Sequence, residues 1–132
     1  MKVSICIPVY GVEQYIERCA RSVFEQTYDD IEYVFVNDCT KDKSIDILEK
    51  VIEEYPNRKN NIKIINHVNN KGLAGARNTA VEYASGCFIF WLDSDDYLDV
   101  SAIDKVVKKQ IQTDADIIIT DFLKMCNGYN EQ

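Results

Sequence analysis

Apolar residues recur along this chain in two rhythms that take turns. Lys2–Pro8 (KVSICIP) is apolar at Val3, Ile5 and Ile7 and stopped by Pro8, the pattern of a first strand. Val12, Tyr15, Ile16, Cys19, Val23 and Phe24 then fall three and four apart, which predicts an amphipathic helix to about Glu25. Ile31–Asn37 (IEYVFVN) reads as a second, buried strand, and Ile45, Leu48, Val51, Ile52 and Tyr55 as a second helix that Pro56 ends. Asn57–Asn61 is polar and predicts a loop with no core content. A third strand is expected over Ile62–Ile65, then a short alanine-rich helix, Ala76–Ser85, closed by Gly86. Phe88–Leu92 predicts a fourth strand, Ile103, Val106, Val107 and Ile111 a fourth helix, and Ile117–Phe122 a fifth strand. Residues Asn127–Gln132 are expected to fray.

Strand and helix alternating in this way predict a mostly parallel sheet with right-handed crossovers. The fold class is therefore α/β, a Rossmann-like doubly wound layout, in one domain over residues 1–126 with a tail at 127–132. Phe88–Leu92 is apolar on both faces and too short for a helix, so it is expected in the middle of the sheet. It runs straight into Asp93-Ser94-Asp95-Asp96. Open α/β sheets bind ligands just past the carboxyl ends of their strands, where these carboxylates fall. Two unit charges about 4 Å apart repel by about 4 kcal/mol at the effective dielectric of a partly buried site. A divalent cation would reverse that sign, and all-oxygen ligands favour Mg²⁺ or Mn²⁺ over zinc. The same four residues also read as a polar turn in which Ser94 or Asp95 caps a following helix. Both readings stand on this stretch alone.

Composition narrows the classes. The 132 residues are 46% hydrophobic and 28% charged, enough for one real core. A net charge of −7 excludes a general nucleic-acid or anionic-membrane surface while permitting a single phosphate site. Five scattered cysteines with no CxxC pair, most on apolar faces, read as core residues of a reduced, cytoplasmic chain. With one histidine they make no zinc ligand set. Val3–Val9 is too short and interrupted for a signal peptide, and no run reaches the length of a membrane span. Any membrane association is expected only through parts absent here.

Polar clusters follow the strands at Tyr10–Glu13, Asp38–Asp42, Asn69–Gly75 and Asp93–Asp96. Parallel strands would bring all four to one edge of the sheet and make a single crevice there. Asp38 reads either as a turn or capping residue, a role open equally to Thr40 and Asp42, or as a carboxylate accepting an imide N–H from a nucleobase. Gly72 and Gly75 would let backbone approach a diphosphate, although the spacing is neither a P-loop nor GxGxxG. Arg77 falls in the first turn of its expected helix, where a cation opposes the dipole. It is therefore expected to face phosphate or the aspartates. Tyr10 reads as a stacking residue or a half-exposed loop aromatic, His67 as a strand-end residue, and Phe90 and Trp91 as core.

Three stretches together resemble the family 2 glycosyltransferases of the GT-A fold: VSICIPVYGVEQYIERCARSVFEQTY, YVFVNDCTKDKSIDIL and NNKGLAGARNTAVEYASGCFIFWLDSDDYL. The resemblance implies that Pro8, Val9, Tyr10 and Asp38 hold the uracil of a UDP-sugar. It implies Arg77 near the base and phosphates, Asp93 near the ribose with Ser94 beside it, and Asp95 on the metal. Asp96, the second metal candidate, and Asn70, in the nucleotide site, also match family positions. Gly11 stands where Asn is usual, Asn37 where Asp is common, and Cys39-Thr40 where Gly-Ser is usual. The family's catalytic carboxylate and acceptor-binding half lie beyond the last residue of this sequence, and Asp116 and Asp121 do not sit in that context.

The resemblance thus implies the donor half of an inverting, Mg²⁺- or Mn²⁺-dependent enzyme that transfers sugar from a nucleotide diphosphate to an acceptor hydroxyl. A carbohydrate or lipid-linked acceptor in polysaccharide or cell-wall synthesis would follow, and uncovered apolar surface would favour self-association into a homo-oligomer. The alternatives are a non-catalytic nucleotide-binding module and a phosphatase of the haloacid dehalogenase type. The latter wants its DxD on the first strand, and here it follows the fourth. A nucleotidyltransferase would want a glycine-rich basic loop where this chain has YGVEQ.

Overall fold

The computed structural model describes residues 1–121, 124–126 and 129–131. Its elements are β1 (Val3–Val9), α1 (Ile16–Phe24), β2 (Ile31–Asn37), α2 (Ser44–Glu53), a 3-10 turn (Lys59–Asn61), β3 (Ile62–Asn66), α3 (Gly72–Tyr83), β4 (Phe88–Trp91), α4 (Ala102–Thr113), β5 (Lys124–Cys126) and β6 (Tyr129–Glu131). The first four strands form one parallel sheet in the order β3-β2-β1-β4. Val3 pairs with Ile31 and with Phe88, and Val9, Asn37 and Asn66 stand in line at the carboxyl ends. The doubly wound layout expected from the alternation is present.

Alternation along the central strands assigns the two faces. Val3, Ile5, Ile7 and Val9 of β1, with Ile31, Tyr33 and Phe35 of β2, join the main core built with α1, α2 and α4. Cys6, Val34 and Val36 point the other way and pack on Ala76 and Ala80 of α3. Small residues on α3 let the helix lie close across β1 and β2. Fully burying an aliphatic side chain contributes about 1.5–3 kcal/mol, so the larger cluster dominates stability. Gly86 admits the turn into β4: a Cβ there would lie 2.6 Å from Ser4 Oγ and 2.9 Å from the Lys2 carbonyl.

Several elements differ from expectation. Among the described residues β4 is an edge strand, paired only with β1; Ile89 and Trp91 are 38% and 44% exposed, because α3 covers β1 and β2 but not β4. Trp91 is thus not a core residue, whereas Phe90 packs against the main core. The fifth strand is not formed over residues 117–121, and Phe122 lies outside the described residues. Ile117 and Ile119 are almost fully exposed, and a strand needs a neighbour whose open edge takes its N–H and C=O groups. Tyr129–Glu131, expected to fray, pairs antiparallel with Lys124–Cys126, which satisfies backbone groups a frayed end would leave to water. The Asn127-Gly128 dipeptide between them is the sequence signal for such a hairpin; residues 127, 128 and 132 lie outside the described residues. α1 starts at Ile16, after a turn over Glu13–Tyr15, and α3 starts at Gly72, four residues before the expected Ala76. Among the described residues no helix is long and apolar enough to cross a membrane.

The polar stretch before β3 is not free of core content. Arg58 is 5% exposed, and its guanidinium donates to the carbonyls of Phe24 (3.1 Å), Gln26 (2.8 Å), Asp29 (3.0 Å) and Tyr28 (3.2 Å). It satisfies the end of α1 and the loop into β2, which α1's own ladder cannot reach. Arg58→Ala is expected to lower the unfolding free energy by about 3 kcal/mol, since buried acceptors lose charged partners. Arg58→Lys should recover little, because one ammonium cannot match the fork. Chemical denaturation of both variants measures this.

Candidate functional site

The chain crosses from β3 over the opposite face and returns beside β1, so the strand order switches between β1 and β4, the place where open α/β sheets leave a crevice. An open cleft of about 370 Å³ lies there, lined by Pro8, Tyr10, Asp38, Asn70, Asp93 and Asp95 among others. Ser94 also lines it, although the residue is only 5% exposed. Val9 does not: its side chain is buried in the main core, and its carbonyl accepts the Asp38 N–H at 3.1 Å.

The loops that shape the cleft are stapled together by Asp42. Its Oδ1 accepts the hydroxyls of Thr40 (2.7 Å) and Ser44 (2.6 Å) and the Ser44 N–H (3.0 Å), and its Oδ2 accepts the Glu13 N–H (3.2 Å). The Thr40 hydroxyl in turn accepts the Gly11 N–H at 2.9 Å. Asp42 therefore serves the start of α2, the task left open among Asp38, Thr40 and Asp42. Gly11 and Cys39 both have left-handed backbones, with φ of 64° and 63°. Gly and Asn tolerate that conformation best, so the Gly/Asn exchange at 11 leaves the loop shape intact, while cysteine at 39 carries strain.

Asp38 is almost fully buried. Its Oδ1 accepts the Lys71 N–H at 2.7 Å and lies 2.9 Å from His67 Nδ1, while its carbonyl accepts the Asn70 amide at 3.0 Å. Burial would raise its pKa; the hydrogen bonds from His67 and from the Lys71 and Gly72 N–H groups outweigh that and hold it below the ordinary range. Asp38 thus caps a helix after all, but α3 rather than α2. Because Oδ1 takes both of these bonds, Oδ2 is the oxygen available to a ligand in the cleft.

At the other wall, carboxylate oxygens of Asp93, Asp95 and Asp96 lie within 4.8 Å of one another, all three exposed. The Asp96 N–H bonds the Asp93 carbonyl at 3.0 Å, so the cluster is also a turn. Neither Ser94 nor Asp95 caps a helix, since α4 begins only at Ala102. Burial, Asp95 and Asp93 push the Asp96 pKa up, and only Arg18 counters them. That guanidinium stacks 4.3 Å over the Tyr97 ring. Arg77 is the sixth residue of α3, not in its first turn, so the dipole argument for it falls away. Its guanidinium nevertheless reaches Asp93 at 3.5 Å; Asp93 lines the cleft and Arg77 does not. Three participants escaped the sequence reading: Asp42's double staple, His67's ring and Arg18. The Asp42–Ser44 spacing was a usable signal for the first; the others depend on contacts between distant segments.

The family profile of glycosyl transferase family 2 matches residues 4–131, and the chain belongs to that family. It is 39% identical over 122 residues to the uncharacterized glycosyltransferase EpsJ of Bacillus subtilis, covering 92% of this chain and 34% of EpsJ. It is 37% identical over 131 residues to a poly(ribitol-phosphate) beta-glucosyltransferase of Bacillus spizizenii, covering 97% of this chain and 20% of that protein. Among solved structures, S. aureus TarS 1–349 in complex with UDP-GlcNAc superposes with a TM-score of 0.85 at 28% identity, covering 98% of this chain and 36% of that TarS 1–349 chain. The fold is that of the GT-A glycosyltransferases, and the chain spans about a third or less of these relatives' length.

The Asp42 staple makes the cleft acid-sensitive. Burial raises its carboxyl, but the bonds from Ser44, Thr40 and Glu13 lower it further, to about 2 from an ordinary 3.8. A depressed acid contributes stability above its unfolded value and loses it as pH falls through the folded one. Asp42→Asn should therefore be less stable than the parent by about 2 kcal/mol at pH 7. The two should converge between pH 4 and about 2, which denaturation across that range measures.

Proposed function

We propose that this chain binds the donor of an inverting, metal-dependent glycosyltransferase, a nucleotide-diphosphate sugar with uracil as its base. The observation that carries the reading is the meeting, in one cleft at the β1–β4 switch, of a buried ionised acceptor, Asp38, with Asp93 and Asp95, two members of an exposed carboxylate cluster that Asp96 completes beside it. Asp38 Oδ2 would accept the imide N–H of uracil, with Tyr10 stacked on the ring and Pro8 beneath it. Asp93 and Ser94 would take the ribose, and Asn70, the α3 start and Arg77 would approach the base and phosphates. The complex of TarS with UDP-GlcNAc supports this choice of donor.

The aspartate cluster fits Mg²⁺ or Mn²⁺: its donors are all carboxylate oxygens, they converge, and no buried cation among the described residues neutralises them. Asp95 and Asp96 would hold the ion, which when bound offsets charge on the departing diphosphate. Arg77 reaches Asp93 and leaves Asp95 and Asp96 without a paired cation among the described residues, all three carboxylates being exposed. The sugar would pass to a carbohydrate or lipid-linked acceptor, with the proton-accepting base supplied outside residues 1–132. A reduced cytoplasmic setting belongs to the proposal and is supported by four free cysteines among the described residues, Cys6, Cys19, Cys39 and Cys87.

Two substitutions test the halves of the site separately. Asp95→Asn should abolish the Mn²⁺ dependence of UDP binding with little change in stability; UDP and Mn²⁺ binding as tight as the parent's would refute the metal assignment. Asp38→Ala should weaken UDP by roughly 1.5–3 kcal/mol and erase discrimination against CDP, whose cytosine lacks the imide N–H. An unchanged UDP/CDP ratio would leave Asp38 as a cap of α3 alone.

A further inference from the structure

We propose that His67 is a positioning residue of the donor site, one whose Nδ1–H fixes the Asp38 carboxylate so that Oδ2 faces the nucleobase, a role that rests on the donor-site reading of Asp38. His67 follows β3 and does not line the cleft, so whatever it does there it does through Asp38.

The proton inventory is constrained. The imidazole is 4% exposed and both nitrogens are engaged, Nδ1 with Asp38 Oδ1 at 2.9 Å and Nε2 with Thr79 Oγ1 at 2.7 Å. Oδ1 also accepts the Lys71 N–H, and the carboxyl is held ionised, so Asp38 can only accept and Nδ1 must carry a proton. Thr79 Oγ1 lies 3.1 Å from the Gly75 carbonyl, another pure acceptor. If its hydroxyl donates to Gly75, the ring donates from Nε2 as well; if it turns to Nε2, the ring is neutral with its proton on Nδ1. Either way Nδ1–H points at Asp38, so rotation of one hydroxyl preserves the contact in both charge states.

Asp38 stands just past β2, where its own N–H still bonds the Val9 carbonyl at 3.1 Å; its backbone is fixed there, and what the second donor fixes is the side chain. The N–H groups at the start of α3, those of Lys71 and Gly72, hold the carboxylate from one side and leave it free to tilt about them. Two donors on the same oxygen, one from the β3 end and one from the α3 start, remove that freedom. The Cys39 thiol, 3.1 Å from the His67 carbonyl, ties the backbone of the two loops together without touching the ring.

The test is calorimetric titration of UDP and CDP, with Mn²⁺, into the parent, His67→Ala, His67→Asn, Thr79→Val and Asp38→Ala, with thermal unfolding confirming that each is folded. His67→Ala should weaken UDP roughly tenfold and lower the UDP/CDP ratio. His67→Asn, whose amide N–H reaches the place of Nδ1, should restore both to within about threefold. Thr79→Val, which frees the ring, should lower the ratio roughly threefold, and it decides the matter if His67→Ala does not fold. A purely structural histidine would weaken UDP and CDP alike and would not be rescued by Asn; that result overturns the proposal. If Asp38→Ala erases the ratio while His67→Ala and Thr79→Val keep it, His67 has no positioning role and the donor site stands. If Asp38→Ala also keeps the ratio, or the parent binds no UDP, the donor-site reading fails and this role fails with it.

Discussion

Parallel pairing of β1 with both β2 and β4 is the constraint on which everything else hangs. Parallel strands must return over a face, and the chain uses one face for its first two crossovers and the other for α3. That reversal places β4 beside β1, so loops from four separate strand ends meet over a gap no helix fills. Cys6 pairs with Trp91, and the Leu92 N–H continues the ladder to the Cys6 carbonyl at 3.1 Å. The aspartates therefore leave the sheet level with the Pro8–Gly11 turn and not beyond it.

Six acids of this chain fall into two electrostatic groups. Glu32 is buried, yet hydrogen bonds from Ser85, Ser4 and Lys63 outweigh its burial and bring its pKa to about 2. Asp42 and Asp38 are treated the same way, each ringed by donors from the chain itself. Asp93, Asp95 and Asp96 receive no such ring, and the Asp96 pKa moves up instead of down. At an effective dielectric near 20, each pair at about 4 Å repels by roughly 4 kcal/mol, less where water screens it. The fold rings three acids with donors and gives the other three one guanidinium, Arg77 on Asp93 at 3.5 Å, which supports the proposed cation on Asp95 and Asp96.

Much of this was readable in the residues. The apolar periods located the four strands of the main sheet, and residues from the polar clusters that follow the strands do line one cleft at its carboxyl edge. What escaped the reading depends on partners distant in sequence. Arg58 sits in a polar stretch and looks solvated until the four carbonyls around it are seen. His67 looked like a strand end because its partners, Asp38 and Thr79, lie on other elements. The early start of α3 was hidden by Gly72 and Gly75, which read as loop, although Asp38 supplies the cap that lets a helix begin there. Phe88–Leu92 read as central because apolarity on both faces does not say how many neighbours a strand has.

The central claim is that one cleft reads a uracil diphosphate through a fixed carboxylate and a divalent ion together. Calorimetric titration of the parent chain with UDP, CDP, GDP and ADP, each with and without Mn²⁺, tests it most directly. The account predicts that UDP binds tightest of the four and that omitting Mn²⁺ weakens it by at least about tenfold, a loss of roughly 1.4 kcal/mol. Equal affinity for all four nucleotides, or UDP binding indifferent to Mn²⁺, would contradict it.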